Sequence, residues 1–363
     1  MLVEQIRWAG GAEVFAVGLA SHLPQDRFDV RLCTTRLSGG FLEQTLDEAG
    51  VPHFNLARSS RWDLFRFRRL YSYLRSERID LLHAHMFGSN VWGTIIGRLA
   101  RTPVIVAQEQ TWSYEGEPIR KLLDGQLIAR LSTKFVAVST ADQERMIRIE
   151  RVKPDKTAMI PNAFVPRPTV EGTDLRAELG IGADAPVIGT AVVHRPQKAL
   201  RVMIDAFARL LASRPQAHLV IAGRGPCTDA WKAHSAERGL DGRVHFIGPR
   251  DDVPAVIDAL DVAVLSSDFE GTPLFVFECM ARDTPVVSTD VGGLPDIVDD
   301  GRTGLLVPRR DPESLAAALD SLLADPGRRE ALAAAARERL PEFSIERISA
   351  RYAELYERLF AES

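Results

Sequence analysis

Two carboxylates eight positions apart, Glu270 and Glu278, lie in the segment Ser266-Ser267-Asp268-Phe269-Glu270-Gly271-Thr272-Pro273-Leu274-Phe275-Val276-Phe277-Glu278. Ionised carboxylates accept hydrogen bonds from hydroxyls, so this pair suits the hydroxyls of a sugar or a ribose. The apolar run 261–265 ahead of it reads as a buried strand, Gly271 and Pro273 as a turn, and a helix is expected to start near Leu274. Free amides around Leu274, Phe275 and Val276 would then meet a diphosphate, favoured by hydrogen bonding and by the helix dipole. Taken alone, two acids at this spacing are more often a loop acid and a solvated helix residue. The sequence downstream changes that balance, because Pro285-Val286-Val287, Gly292-Gly293 and Gly304-Leu305-Leu306-Val307 follow in order. A glycine pair between a strand and a helix lets backbone come close to a ligand.

A diphosphate also needs cations. Arg195 and Lys198 follow the apolar run 187–193 directly, so both are candidates to neutralise phosphate oxygens as a bond to phosphate breaks. No Asp-x-Asp motif is placed to hold a divalent ion and the histidines are scattered, so neither a metal nor another cofactor is expected. Further glycines sit where strands should end. Gly10 and Gly11 precede an apolar helix, Gly223 and Gly225 follow the run 218–222, and Ile247 ends the run 244–247 just before Gly248. Each of these alone is no more than strand-end geometry. On the amino-terminal side, His83 and His85 flank Ala84 at a strand end, and Gln110 follows the run 104–107.

These residues are positioned by short β-branched runs alternating with amphipathic stretches. Strands are expected at 28–33, 81–84, 104–107, 134–138, 187–193, 218–222, 244–247, 261–265, 285–288 and 304–307. Helices are expected at 13–22, 42–49, 64–76, 91–100, 119–131, 200–212, 313–323, 327–340 and 345–360. Such alternation implies parallel sheets covered by helices on both faces, with ligands beyond the carboxyl ends of the strands. Only Met1 to Val3 precede the polar Glu4-Gln5, so the first strand is expected to be stunted or to begin upstream of Met1. The prolines at 161, 166 and 168 mark a hinge between two halves.

A chain of 363 residues exceeds one ordinary core, and 45% hydrophobic with 26% charged residues is an ordinary globular balance. A net charge of −4 gives no reason to expect nucleic acid. Three dispersed cysteines and no membrane-length apolar run fit a cytoplasmic protein. Between Arg58 and Arg78, seven arginines alternate with Trp62, Phe65, Phe67, Leu70, Tyr71 and Leu74. That pattern fits either a helix packed on the sheet with solvated arginines or peripheral contact with the inner face of a membrane.

The series from Glu270 to Val307 resembles the donor motif of the family 4 retaining glycosyltransferases, and the resemblance extends over nearly the whole chain. It implies an α/β protein of the GT-B fold, two Rossmann-like doubly wound parallel-sheet domains facing across a cleft. Residues 1–163 would bind the acceptor and residues 164–344 the nucleotide sugar, with a helix at about 345–363 packing back on the first domain. By the same resemblance Glu278 holds ribose, Glu270 contacts the transferred sugar, and Lys198, helped by Arg195, meets the diphosphate. The loop at Gly10 and Gly11 reaches the diphosphate, Gly223, Gly225 and Ile247 line the nucleotide pocket, and His83, His85 and Gln110 lie on the acceptor side. Relatives carry arginine where Val193 stands, histidine where Gln110 stands and glycine where Ala163 stands. The implied reaction is metal-independent transfer of a sugar to a hydroxyl of a lipid-linked, glycan or small-molecule acceptor in cell-envelope glycan synthesis. A non-catalytic partner subunit and a nucleotide-sugar epimerase are the alternatives.

Overall fold

The computed structural model describes residues 1–6, 10–60, 63–110, 117–166 and 174–362, and the chain divides into two compact units. The first comprises Met1–Val165 with Phe343–Ser363, the second Pro166–Glu342. Arg61, Trp62 and Pro168 lie outside the described residues.

In the first unit the strands are β1 (Leu2–Gln5), β2 (Leu32–Leu37), β3 (His53–Asn55), β4 (Leu81–His85), β5 (Val104–Glu109), β6 (Lys134–Ala137) and β7 (Thr157–Met159). They form one parallel sheet in the order β3-β2-β1-β4-β5-β6-β7. The second unit holds β8 (Val187–Ala191), β9 (His218–Ala222), β10 (Val244–Gly248), β11 (Val262–Leu265), β12 (Val286–Thr289) and β13 (Leu305–Val307), ordered β10-β9-β8-β11-β12-β13. Both are doubly wound sheets. The winding reverses between β1 and β4 in one and between β8 and β11 in the other, and ligands gather at such reversals.

The interiors follow from the apolar runs. Met203, Ile204, Phe207 and Leu210, on one stripe of the helix Leu200–Leu210, pack with Leu219, Ile221, Val262 and Val264 in the second unit. In the first unit the helix Ile345–Ala361 returns to the sheet and lays Ile348, Tyr352, Tyr356 and Leu359 against Phe15, Leu19, Val104 and Val106. No helix among the described residues is long and apolar enough to cross a membrane.

Four expectations shift. The second strand is Leu32–Leu37 rather than 28–33, because Cys33 and Thr34 pair with Leu2 and Val3 while Phe28 and Val30 pack on the carboxyl-terminal helix core instead. The short edge strands β3 and β7, three residues each, carry too little pattern to be seen in advance. The strand read as 187–193 stops at Ala191, and Val193 turns outward at 44% exposure. The helix expected at 119–131 contains a π-helical stretch, Leu123–Ile128.

Candidate functional site

The carboxyl ends of β8 and β11, neighbours at the reversal of the second sheet, carry Lys198 and Glu270 on the loops that follow them. Lys198 closes the 3₁₀ turn Pro196–Lys198, and its Nζ donates to Glu270 Oε1 at 2.5 Å. Ser267 Oγ donates to the same oxygen at 2.5 Å, and the Glu270 side chain is only 5% exposed. A buried carboxylate needs such partners, because desolvation otherwise penalises its charge heavily.

The Glu270 loop is fastened to its neighbours on several sides. Ser266 Oγ donates to the Lys198 carbonyl at 3.0 Å, and Thr289 Oγ1, at the end of β12, donates to the Ser267 carbonyl at 2.7 Å. The amide of Gly293 donates to the Glu270 carbonyl at 3.2 Å. Gly292 adopts φ +56° there, and a Cβ on it would stand 1.8 Å from that same carbonyl oxygen. Only glycine fits this approach. Of the downstream glycine pair, Gly292 is thus a structural requirement of the Glu270 loop.

Glu278 is half-buried on the helix Leu274–Met280. Pro273 precedes the helix at φ −73°, a value proline provides without cost. Of the three amides expected to be open, that of Val276 donates to the Pro273 carbonyl at 3.2 Å. Leu274 and Phe275 therefore carry the open donors of this first turn. Arg195 is exposed one residue before the 3₁₀ turn, and Val193 projects no charge beside it.

Gly223 and Gly225 are explained by the chain next to them. A Cβ on Gly223, at φ +118°, would lie 1.9 Å from the Val192 carbonyl, and one on Gly225 would lie 2.4 Å from that of His194. The His194 ring sits inside this junction, its Nδ1 2.9 Å from Thr228 Oγ1, and burial keeps its pKa below the usual histidine range. Ile247 is half-buried on the edge strand β10, and the following Gly248 accepts from the Gly223 amide at 2.7 Å.

In the first unit Gly10 and Gly11 start the helix Gly11–His22 after β1, next to the end of β4. His83 is not directed outward from that strand end. It is fully buried, its Nδ1 2.7 Å from the Tyr356 hydroxyl, with its ring 5.4 Å from that of Tyr352. His85 is equally buried, with its ring centroid 4.0 Å from that of His83. Burial holds His83 well below the usual histidine range and brings His85 down to about 3, so both are neutral near pH 7. Gln110 is half-buried and its Oε1 accepts from Asn162 Nδ2 at 2.7 Å, which leaves the amide nitrogen as its donor. A cavity of about 340 Å³ opens in this unit among Met1, Arg31, Leu81 and Tyr356. It lies at the amino-terminal ends of the strands, the opposite end from Gly10 and His85.

One acidic group escaped sequence reasoning. Asp124 sits in the π-helical stretch, fully buried, with Arg120 Nε 3.8 Å away and Glu109 pairing with Arg120 Nη2 at 3.0 Å. A Cβ on Gly125 would fall 2.0 Å from the Glu150 carbonyl, so the wide turn presses against Glu150. Burial first, then the charges of Glu109 and Glu150, push the Asp124 carboxyl up to about 9. Folding therefore requires this acid to keep its proton at neutral pH, while the unfolded chain releases it above about pH 4. Stability is lost as pH rises from there towards 9, since the unfolded state binds fewer protons. Asp124→Asn should accordingly melt no higher than the parent at pH 4.5 but about 4 °C higher at pH 8. A difference independent of pH, read by thermal melts across that range, would show that Asp124 is ionised in the fold.

Residues 9–166 match the family model for Glycosyltransferase Family 4, and residues 172–339 match that for Glycosyl transferases group 1. The D-inositol 3-phosphate glycosyltransferase of Corynebacterium efficiens is 30% identical over 388 aligned positions, covering 96% of this chain and 90% of that protein. The Escherichia coli UDP-Gal:alpha-D-GlcNAc-diphosphoundecaprenol alpha-1,3-galactosyltransferase is 27% identical, covering 82% of this chain and 80% of that protein. The crystal structure of Anabaena HepE in complex with UDP-glucose has the same fold, with a TM-score of 0.86 at 22% identity and 98% of each chain covered.

Proposed function

Because this chain belongs to the family 4 glycosyltransferases and has their GT-B fold, a nucleotide sugar is its donor, and we propose that it performs retaining, metal-independent transfer. The observation that carries the reading is the meeting of Lys198 and Glu270 at 2.5 Å beside the reversal of the second sheet. In this reading Glu270 takes hydroxyls of the transferred sugar while Lys198 faces the departing phosphate. Glu278 accepts from the ribose, and the amides of Leu274 and Phe275 meet the diphosphate. Gly223, Gly225 and Ile247 border the nucleotide. Arg195, exposed on the same loop as Lys198, adds the second positive charge. As the bond from sugar to phosphate breaks, negative charge grows on the phosphate oxygens, and fixed cations and amides stabilise it without reorganising.

The donor we favour is a UDP-sugar, since the Escherichia coli relative is named for UDP-Gal and HepE was solved with UDP-glucose. The acceptor is a hydroxyl of a lipid-linked or phosphorylated compound, in line with the diphosphoundecaprenol and inositol phosphate in the relatives' names. On this side Gln110 offers its amide nitrogen, while His83 and His85 act from within the unit by supporting the strand end. Membrane contact is supported by the helix Phe67–Ser76. Phe67, Leu70 and Leu74 are buried, yet Leu64, Phe65 and Tyr71 are exposed among Arg66, Arg68, Arg69 and Arg75. Phe65 is 72% exposed, with the Arg68 guanidinium 5.0 Å from its ring centre.

The test is nucleotide release by the purified chain from UDP-, GDP- and ADP-sugars, with and without EDTA, and with and without anionic lipid vesicles. Release from the UDP-sugar that persists in EDTA is expected, together with sedimentation of the protein with the vesicles. Loss of turnover in EDTA would overturn the metal-free assignment, and failure to bind any of the three donors would overturn the donor site.

A further inference from the structure

Arg310 stands three residues beyond β13 in a left-handed conformation, φ +60°, that side-chain-bearing residues rarely adopt. Its Nε and Nη2 donate to Oδ1 and Oδ2 of Asp268 at 2.8 and 2.9 Å, a bidentate pair. Asp268 lies two residues before Glu270. The Asp268 amide donates to the Gln197 carbonyl at 2.8 Å, and the Gln197 side chain returns a hydrogen bond to the Phe269 carbonyl at 3.2 Å. Gln197 in turn directly precedes Lys198. The pair therefore ties the loop after β13 to both loops that deliver Lys198 and Glu270.

Strain of this kind persists where surrounding structure over-determines it, and it clusters at functional sites. Stability does not account for it here. The Arg310 side chain is 59% exposed, and exposed ion pairs contribute little to folding. A two-point guanidinium grip, by contrast, restrains both position and orientation of its carboxylate.

We propose that Arg310 is a positioning residue for transfer: through Asp268 it holds the Glu270 loop and the Gln197-Lys198 turn at the spacing the reacting sugar and phosphate need. This rests on the reading of Glu270 and Lys198 as groups that face the donor. Arg310 acts through Asp268, so its effect belongs in turnover rather than in donor affinity. Displacements of the order of 1 Å at a reacting centre cost large factors in rate even when folding is intact.

Arg310→Gly separates the two roles, because glycine relieves the left-handed strain while removing the grip. The expected result is a thermal midpoint equal to or above that of the parent, kcat reduced about tenfold and donor KM within about twofold. Arg310→Lys, which keeps charge without the fork, should fall between the two. Asp268→Asn should match Arg310→Gly, and the double variant should be no worse than either alone, as expected for two ends of one interaction. Parental kcat in a well-folded Arg310→Gly, or additive losses in the double variant, would overturn the proposal. Glu270→Gln, measured alongside, distinguishes the failures. If it abolishes transfer while Arg310→Gly is fully active, only the positioning role is wrong; if it leaves transfer intact, the reading of Glu270 falls and the proposal with it.

Discussion

Lys198→Ala is expected to lower turnover by about 10²- to 10³-fold, the scale on which single charge-stabilising donors act in group transfer. The loss should fall on kcat, since charge on the departing phosphate grows as the bond breaks and the cation binds it most strongly then. A second consequence is particular to this site. Lys198 is the ion-pair partner of a Glu270 carboxylate that is almost inaccessible to water, so its removal leaves a buried charge uncompensated. Breaking such a pair from one side costs about 3 kcal/mol of stability. The double variant Lys198→Ala/Glu270→Gln should regain much of that stability without regaining activity. Activity in Lys198→Ala within threefold of the parent, measured with a saturating UDP-sugar, would remove Lys198 from the phosphate.

Gly292→Ala should be among the most damaging single-methyl changes in the second unit. Its φ of +56° already disfavours a side chain, by about 1 kcal/mol. The new Cβ would also stand 1.8 Å from the Glu270 carbonyl, a contact that can be relieved only by moving backbone. We expect about 3 kcal/mol of destabilisation and a fall in kcat of about 100-fold as Glu270 shifts. Gly242→Ala is the control, at φ +75° with nothing within 4 Å of the added methyl. It should lose about 1 kcal/mol and no activity. Equal behaviour of the two variants in melting and turnover would mean that the Glu270 loop tolerates displacement.

What the amino-acid order disclosed is what short-range chemistry encodes. Strand ends were legible because β-branched runs stop at glycine or small polar residues, and the Glu270 loop because proline and glycine punctuate it. Gly292 was visible as a close-approach glycine, although the atom it approaches, the Glu270 carbonyl, could not be. Long-range facts stayed hidden. Nothing near His83 announces that its ring meets Tyr356, 273 positions away; the sequence places it only at a strand end. The grip of Arg310 on Asp268 spans 42 positions and joins two residues that look like ordinary solvated charges. Likewise the π-helical stretch keeps the apolar spacing of an α-helix, and only tertiary packing shows that it drives Asp124 inward. The second strand was misplaced by four residues because Phe28 and Val30 are apolar for a different reason, their packing on a helix more than 300 positions later.

That last helix has a consequence for how the chain is made. A ribosome that has delivered residues up to 342 has released every strand of the second unit, from Val187 to Val307, and the helices that cover it. At the same moment the first unit, synthesised earlier, still lacks Ile348, Tyr352, Tyr356 and Leu359, and so leaves Phe15, Leu19, Val104 and Val106 without their cover. The half that emerges first is the half whose core closes last, and it must stay soluble meanwhile with an apolar face open to whatever else is in the cell.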